Sequence, residues 1–293
     1  MTATYPRRAR YFGSMARSAL DTYAPDLFAG QVALVTGGGR GIGRLTALAF
    51  ARLGADVAIS ARNAENLERT RAEIVSLGRR CVATPVDIRD TVQVEHMVGT
   101  AIEAFGSLDV LVNNAGGQFP ARPSEISDRG FRSVVDLNLM GTWNVCSRVV
   151  PHLIANGGGS IVNVVHNQVF DRGAVLFAHS GAARAGVVNL THTMALYLAG
   201  KGITVNALAP GPVDTEGFRD DEVANIAVDT QAYVAQVVRD TPIGRLQTPD
   251  EVAAHIVFLC SPAARSITGQ VLTADGGHAM GNQSAVYGPD LEW

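Results

Sequence analysis

The stretch Val32-Ala33-Leu34-Val35-Thr36-Gly37-Gly38-Gly39-Arg40-Gly41-Ile42-Gly43 decides the fold. Its apolar run reads as a buried strand, and the amphipathic pattern that begins at Gly41 reads as a helix. Between them, glycines allow a tight turn and let a phosphate approach the backbone. The helix N-terminus beyond supplies unpaired N–H groups and a dipole that favours an anion. A glycine cluster alone is a weak signal. The strand before it and the helix after it make it a dinucleotide-binding turn.

The same alternation continues outward. Val57-Ala58-Ile59-Ser60, Cys81-Val82-Ala83-Thr84 and Val110-Leu111-Val112 read as further buried strands. Ile161-Val162-Asn163-Val164-Val165, Thr204-Val205-Asn206-Ala207-Leu208 and Val271-Leu272-Thr273-Ala274 extend the series. Helical stretches lie between them, near 41–53, 64–77, 91–105, 128–154, 177–199 and 250–260. Short continuous apolar strands separated by helices imply a parallel sheet covered on both faces. The expected fold is α/β, a Rossmann-type doubly wound parallel sheet in a single domain over residues 30–280. Residues 1–29 form an N-terminal leader with a short helix, and residues 281–293 a C-terminal tail. Residues 212–245 interrupt the alternation after Pro210-Gly211, with a helix in their second part. An insertion there lies outside the carboxyl ends of the strands, where ligands of such sheets bind, and is expected to form a substrate lid.

Composition excludes several functions. The 293 residues are 47% hydrophobic and 17% charged, which suits a globular chain with a sizeable core. A net charge of −3 without a polybasic run argues against a nucleic-acid partner. The cluster Pro6-Arg7-Arg8-Ala9-Arg10 is too short to change that, and no signal-peptide core follows it. No apolar run approaches the ~18 residues of a membrane span. Cys81, Cys146 and Cys260 are far apart, without CxxC or a disulfide framework. No His, Cys and carboxylate grouping has zinc-ligand spacing, so no metal is expected. The expectation is a soluble, cytoplasmic protein acting on a small-molecule substrate.

The second strand ends Ile59-Ser60-Ala61-Arg62. An acid at this place binds ribose hydroxyls, whereas a base accommodates a 2′-phosphate. Arg62, with Arg40 in the glycine turn, therefore points to NADP(H). Asp87, after the third strand, either accepts from the adenine amino group or caps the helix near Thr91.

At Asn113-Asn114-Ala115-Gly116 the pattern becomes specific. With the glycine turn, Asn138 in Asp136-Leu137-Asn138-Leu139, and Pro210-Gly211, it resembles the short-chain dehydrogenase/reductases over about residues 30–280. Asn113-Asn114-Ala115-Gly116-Gly117-Gln118-Phe119, Gly158-Gly159-Ser160-Ile161-Val162-Asn163 and the run His179 to Val187 are similar to the trans-2-enoyl-CoA reductase branch of peroxisomes. Tyr23-Ala24-Pro25-Asp26-Leu27 and Tyr287-Gly288-Pro289-Asp290 extend that similarity. The chain ends Leu291-Glu292-Trp293 in place of a peroxisomal signal, which keeps the expectation cytoplasmic. The resemblance implies that Gly37, Gly39, Arg40, Gly41, Ile42 and Gly43 hold the pyrophosphate. It places Arg62 on the 2′-phosphate, Asp87 and Ile88 on the adenine, and Asn114 and Gly116 on the adenosine ribose side. Pro210, Gly211 and Thr215 fall along the nicotinamide. It also implies a homotetramer or homodimer built on the helices near 128–154 and 177–199.

The departures from the family are as informative. Ser180 stands where the family carries its catalytic tyrosine, and Arg184 where it carries the lysine. The catalytic serine aligns near Val165-His166-Asn167, which has no hydroxyl. Val188 and His192, or Val169 and Phe170, occupy the places from which related enoyl and dienoyl reductases draw an acid. Ketone reduction builds a full alkoxide and depends on a positioned acid, worth ~10²–10⁴-fold. Reduction of a conjugated thioester builds an enolate, which hydrogen-bond donors can stabilise while water protonates carbon. Ser180 is then a candidate oxyanion donor and Arg184 a polarising or ribose-binding group. His166 is a candidate proton donor, with His179 as a second imidazole. The resemblance implies that Asn138 breaks its helix and holds a water. Phe170 and Phe177 line an acyl pocket or pack in the core. The reading is an NADPH-dependent reductase of a conjugated thioester or carbonyl, with CoA as a possible carrier. A non-redox dehydratase, isomerase or cyclase on the same fold is the alternative, and a non-catalytic NADP-binding module is a further one.

Overall fold

The computed structural model describes residues 18–167, 173–222 and 229–281. Leader residues 1–17, Val169 and Phe170, and the tail from 282 lie outside the described residues.

Seven strands form one parallel sheet: β1 Val32–Thr36, β2 Asp56–Ala61, β3 Cys81–Pro85, β4 Val110–Asn113, β5 Gly159–Val164, β6 Ile203–Pro210 and β7 Val271–Ala274. Their order is β3-β2-β1-β4-β5-β6-β7, with every neighbouring pair parallel. The doubly wound α/β sheet expected from the alternation is therefore what the chain forms. Strand order reverses between β1 and β4, the place where such sheets open a crevice at their carboxyl ends.

Successive side chains of β1 serve opposite faces. Ala33 and Val35 join a core with α1 (Gly41–Arg52) and α8 (Pro249–Cys260). Val32 and Leu34 join another with α3 (Thr91–Phe105), α5 (Gly141–Ala155) and α6 (Ala178–Leu198). Burial on both faces is why the strands carry no polar alternation. Helix α2 (Ala64–Ser76) flanks β2 and β3. Residues 18–29 pack on the α1 and α8 face. Phe28 is fully buried edge-on to Phe50, and the Tyr23 hydroxyl donates to the Ala254 carbonyl at 2.9 Å.

The long helical stretch near 128–154 is three pieces. Helix α4 (Asp128–Val135) runs into a π-turn over Asp136–Met140 and then into α5. The cause is local. Asn138 Nδ2 donates to the Val134 carbonyl at 2.8 Å, competing for the acceptor that its own backbone N–H meets in a regular helix. The Gly141 N–H reaches back five residues to Asp136 instead. The helix expected in the second part of 212–245 is α7 (Thr230–Asp240), capped by Asp229.

Candidate active site

The glycine turn joins β1 to α1 at the switch point. Gly37 has φ +70°, and a Cβ there would stand 2.6 Å from Asn114 Nδ2. A Cβ on Gly43 would stand 2.2 Å from the Gly37 carbonyl oxygen, so α1 begins in contact with the turn. Asn114 secures that turn through Nδ2 to the Thr36 carbonyl at 3.0 Å. The Thr36 hydroxyl accepts from the N–H groups of Asn114 and Ala115. A bare backbone cradle at a helix N-terminus fits the pyrophosphate of a dinucleotide. Gly39 and Arg40 complete the turn, Arg40 at the N-cap position of α1. The base Arg62 is exposed just beyond β2, close enough to Asp87 to lower its carboxyl.

Asp87 is held mainly by Arg89, whose guanidinium and backbone N–H both donate to it, and its carboxyl lies below the usual range. Asp87 does not cap α3. Asp90 does, accepting from Val92 and Gln93 N–H. The Ile88 side chain is buried against Gly141 of α5, and its carbonyl accepts from Asn144.

A cleft of ≈ 500 Å³ opens at the carboxyl ends of the strands. Ile42, Asn114, Gly116 and Gln118 form one wall, and Pro210, Gly211, Val213 and Thr215 another. Thr215 reaches across to the glycine turn, its Cγ2 3.7 Å from where a Gly41 Cβ would be. Tyr233, Gln236, Val237 and Asp240 close the cleft from α7. Their spacing of three, four and seven residues is one face of a helix. Phe177 lines the cleft as well.

Arg184 lies in this cleft against Gly116, where a Cβ would approach its Nη2 to 3.3 Å. Its Nε donates to Ser180 Oγ at 3.3 Å, and its Nη1 to the Val164 carbonyl at 3.5 Å. Ser180 is fully buried and donates its own hydrogen to Gln118 Oε1 at 2.5 Å. Asn138 is buried and braces the same loop: Oδ1 accepts from Gly117 N–H at 3.2 Å, and Nδ2 donates to the Gly117 carbonyl at 2.8 Å. Its backbone carbonyl accepts from the Thr142 hydroxyl at 2.7 Å. Arg184, Gln118 and His166 thus meet in the cleft, with Ser180 and Asn138 behind them.

His166 is held neutral. Burial and the neighbouring Arg184 charge push it down to about 3. His179 is fully buried, edge-on to Phe119 at 4.4 Å, and its Nδ1 accepts the Ser180 N–H at 2.9 Å. Burial lowers its pKa too. His192 lies on the exposed face of α6. A larger depression, ≈ 950 Å³, runs along edge strand β7 beside His255 and Glu251. It does not contain Arg184 or Gln118, and Asn167 and Asp275 form part of its wall. Among the described residues no group of His, Cys, Asp and Glu could hold a metal ion, and no helix is long and apolar enough to cross a membrane.

The family model described as enoyl-(acyl carrier protein) reductase matches residues 37–279. The peroxisomal 2,4-dienoyl-CoA reductase of Danio rerio is 35% identical over 257 residues, covering 87% of this chain and 83% of that protein. The 7alpha-hydroxysteroid dehydrogenase of Escherichia coli strain K12 is 34% identical over 248 residues, covering 85% and 94%. Among solved structures, the citronellol catabolism dehydrogenase of Pseudomonas aeruginosa PAO1 is 37% identical with a TM-score of 0.75, covering 88% and 98%. The chain belongs to the short-chain dehydrogenase/reductase family. It is an oxidoreductase of that type, whose members bind nicotinamide cofactors.

Reading this dehydrogenase/reductase from sequence alone leaves three residues of the cleft unnoticed in their roles. Gln118 is one, visible only as part of a matched motif. Tyr233 and His278 are the others, each placed in the cleft by the fold. No local pattern marks them. The signal for Gln118 is Ser180, which faces it from another element.

Proposed function

We propose that the protein is an NADPH-dependent reductase of a conjugated (α,β-unsaturated) thioester or carbonyl, and that Gln118 is its oxyanion donor. The observation that carries this is the Arg184–Ser180–Gln118 chain of hydrogen bonds. Ser180 Oγ accepts from Arg184, so its single hydrogen goes to Gln118, and the acceptor end of that carboxamide must face it. Gln118 Nε2 is thereby turned from Ser180, and its residue lines the cleft. A carboxamide N–H can stabilise an enolate oxygen but cannot release a proton to an alkoxide.

Arg184 stays cationic at any working pH, so it too binds or polarises without donating. His166, neutral near pH 7, does not serve as an acid. In this reading Ser180 and Arg184 replace the tyrosine and lysine of the family, and the cleft is furnished with donors in place of an acid. Ser180 and Asn138 are positioning residues. A nicotinamide dinucleotide with its pyrophosphate in the glycine turn would supply the hydride. Gln118 and Arg184 hold the acyl oxygen while charge develops on it, and water delivers the proton to the α-carbon. The double bond is lost, and the hydride and the proton are gained.

The glycine cradle fits a dinucleotide. The preference for NADP(H) rests on Arg62 and Arg40, with no acid at the end of β2. Gly37, Gly39, Gly41, Ile42 and Gly43 would hold the pyrophosphate, and Asp87 with Ile88 the adenine. Asn114 and Gly116 would lie on the ribose side, and Pro210, Gly211 and Thr215 along the nicotinamide. The Rossmann domain spans residues 30–280, with 212–245 as its lid. The 2,4-dienoyl-CoA reductase relatives make CoA thioesters the first acceptors to try. Exposed Trp143, Ile154, Leu196 and Tyr197 on α5 and α6 suit a homotetramer or homodimer, and the site of action is the cytoplasm. The test is NADPH consumption with a panel of conjugated thioesters and ketones. Oxidation with the panel, and none with unconjugated ketones, supports the reading. Tight NADPH binding without oxidation by any acceptor rejects it in favour of non-redox chemistry.

A further inference from the structure

Strands β2 and β3 end side by side: Ala61 is in register with Pro85, and the Val86 N–H donates to the Ala61 carbonyl at 2.9 Å. Arg62 and Asp87 therefore leave the sheet as neighbours, and the Arg62 charge reaches the Asp87 carboxyl. Asp87 nevertheless pairs with Arg89. The Arg89 Nε donates to Asp87 Oδ1 at 2.9 Å, its Nη2 to Oδ2, and its backbone N–H to Oδ1 at 3.0 Å. Both residues lie in one turn, closed by the Asp90 N–H on the Asp87 carbonyl at 2.9 Å. Among the described residues Arg62 forms no ion pair with Asp87.

A carboxylate at this corner of the sheet works against a 2′-phosphate in two ways. It repels the dianion, and it competes for the base that is to meet it. Arg89 counters both. Its planar fork engages the two carboxylate oxygens at once, and it stays charged at any working pH. The Asp136 charge also reaches Arg89, and Asp90 stands close enough to Asp87 for the two to repel. Three acids thus gather here against two cations. Arg62 is the other cation that Asp87 feels, so removal of Arg89 would turn the acid toward it. We infer that Arg89 is a positioning residue that sets cofactor specificity: by occupying both oxygens of Asp87 it leaves Arg62 to the 2′-phosphate and screens the phosphate from the acid. The inference rests on the NADP(H) reading and deepens it.

The experiment is calorimetric titration of the full-length protein with NADPH and with NADH, in wild type, Arg89→Ala, Asp87→Asn and the double variant. Arg89→Ala should weaken NADPH by about five- to tenfold, the scale of one charge–charge contact near a protein surface, and change NADH by less than about twofold. The double variant, in which the acid is gone and an amide oxygen still faces the adenine, should bind NADPH within about twofold of Asp87→Asn alone. That rescue separates an electrostatic role from a structural one, because a turn damaged by loss of Arg89 is not repaired by a change at Asp87. Equal weakening of both nucleotides by Arg89→Ala, an NADPH affinity it leaves within about twofold, or a double variant without rescue overturns the inference. Arg89→Gln, similar in length and uncharged, gives the same comparison should Arg89→Ala fail to fold. Wild type that binds NADPH no more tightly than NADH overturns the NADP(H) reading, and the inference with it. Wild type that prefers NADPH, beside an Arg89→Ala variant that prefers it equally, overturns the inference alone.

Discussion

Ser180 and Gln118, 62 positions apart, are joined by a hydrogen bond in which the serine hydroxyl donates to Gln118 Oε1. The bond ties helix α6 to the loop after β4 and decides which end of the carboxamide faces away from the helix.

Removing either partner should therefore have unequal effects. Gln118→Leu removes the oxyanion donor and should lower kcat by about 10²–10³-fold. Ser180→Ala leaves the donor but frees its orientation, and should cost less than Gln118→Leu. Steady-state kinetics with a conjugated thioester, beside an NADPH binding titration that stays unchanged, checks both.

The proposed preference for NADP(H) depends on Arg62. Arg62→Ala should weaken NADPH by about 1.5–3 kcal/mol, the range of a charge-assisted hydrogen bond, and leave NADH affinity unmoved. Calorimetric titration with both nucleotides distinguishes this from a general loss of binding. An equal loss for both removes Arg62 from the 2′-phosphate.

Gly43 has no room for a side chain, because a Cβ would meet the backbone of Gly37 at 2.2 Å. Gly43→Ala should lower stability by about 1–3 kcal/mol, the usual cost of overpacking, and abolish cofactor binding with it. Urea unfolding and nucleotide titration of the variant give both quantities.

His166 should make the protein acid-sensitive. Its folded pKa is about 3, below the ordinary 6.5, through burial first and the Arg184 charge second. Above the unfolded value neither state is protonated at this ring, and its share of stability is fully present. As pH falls from 6.5 toward 3 the unfolded chain takes up a proton that the folded ring refuses. Stability then drops by up to ~1.4 kcal/mol per pH unit. His166→Gln should flatten the decline in urea midpoint below about pH 6. An unchanged slope would show that the ring titrates normally in the folded protein.

The fold was legible because its determinants are local. Each strand is a short apolar run, and the glycine turn carries its own strand and helix on either side. The break at Asn138 was expected only through the family resemblance; its cause, a side chain competing for the adjacent helix carbonyl, is seen in the structure. What escaped were relationships that chain separation hides. Gln118 acquires its orientation from Ser180, 62 positions away. Asp87 and Asp90 compete for one helix start three residues apart, and only geometry assigns the cap to Asp90.

The central claim is that the cleft stabilises an enolate, so the decisive measurement is where the hydride goes. NADPH carrying deuterium at its transferable position should be oxidised by a conjugated thioester, leaving deuterium on a carbon of the former conjugated double-bond system and solvent hydrogen on the carbon that water protonates. Mass spectrometry of the product would show this. Deuterium on the carbonyl carbon of a ketone, with conjugated thioesters left unreacted, would contradict it.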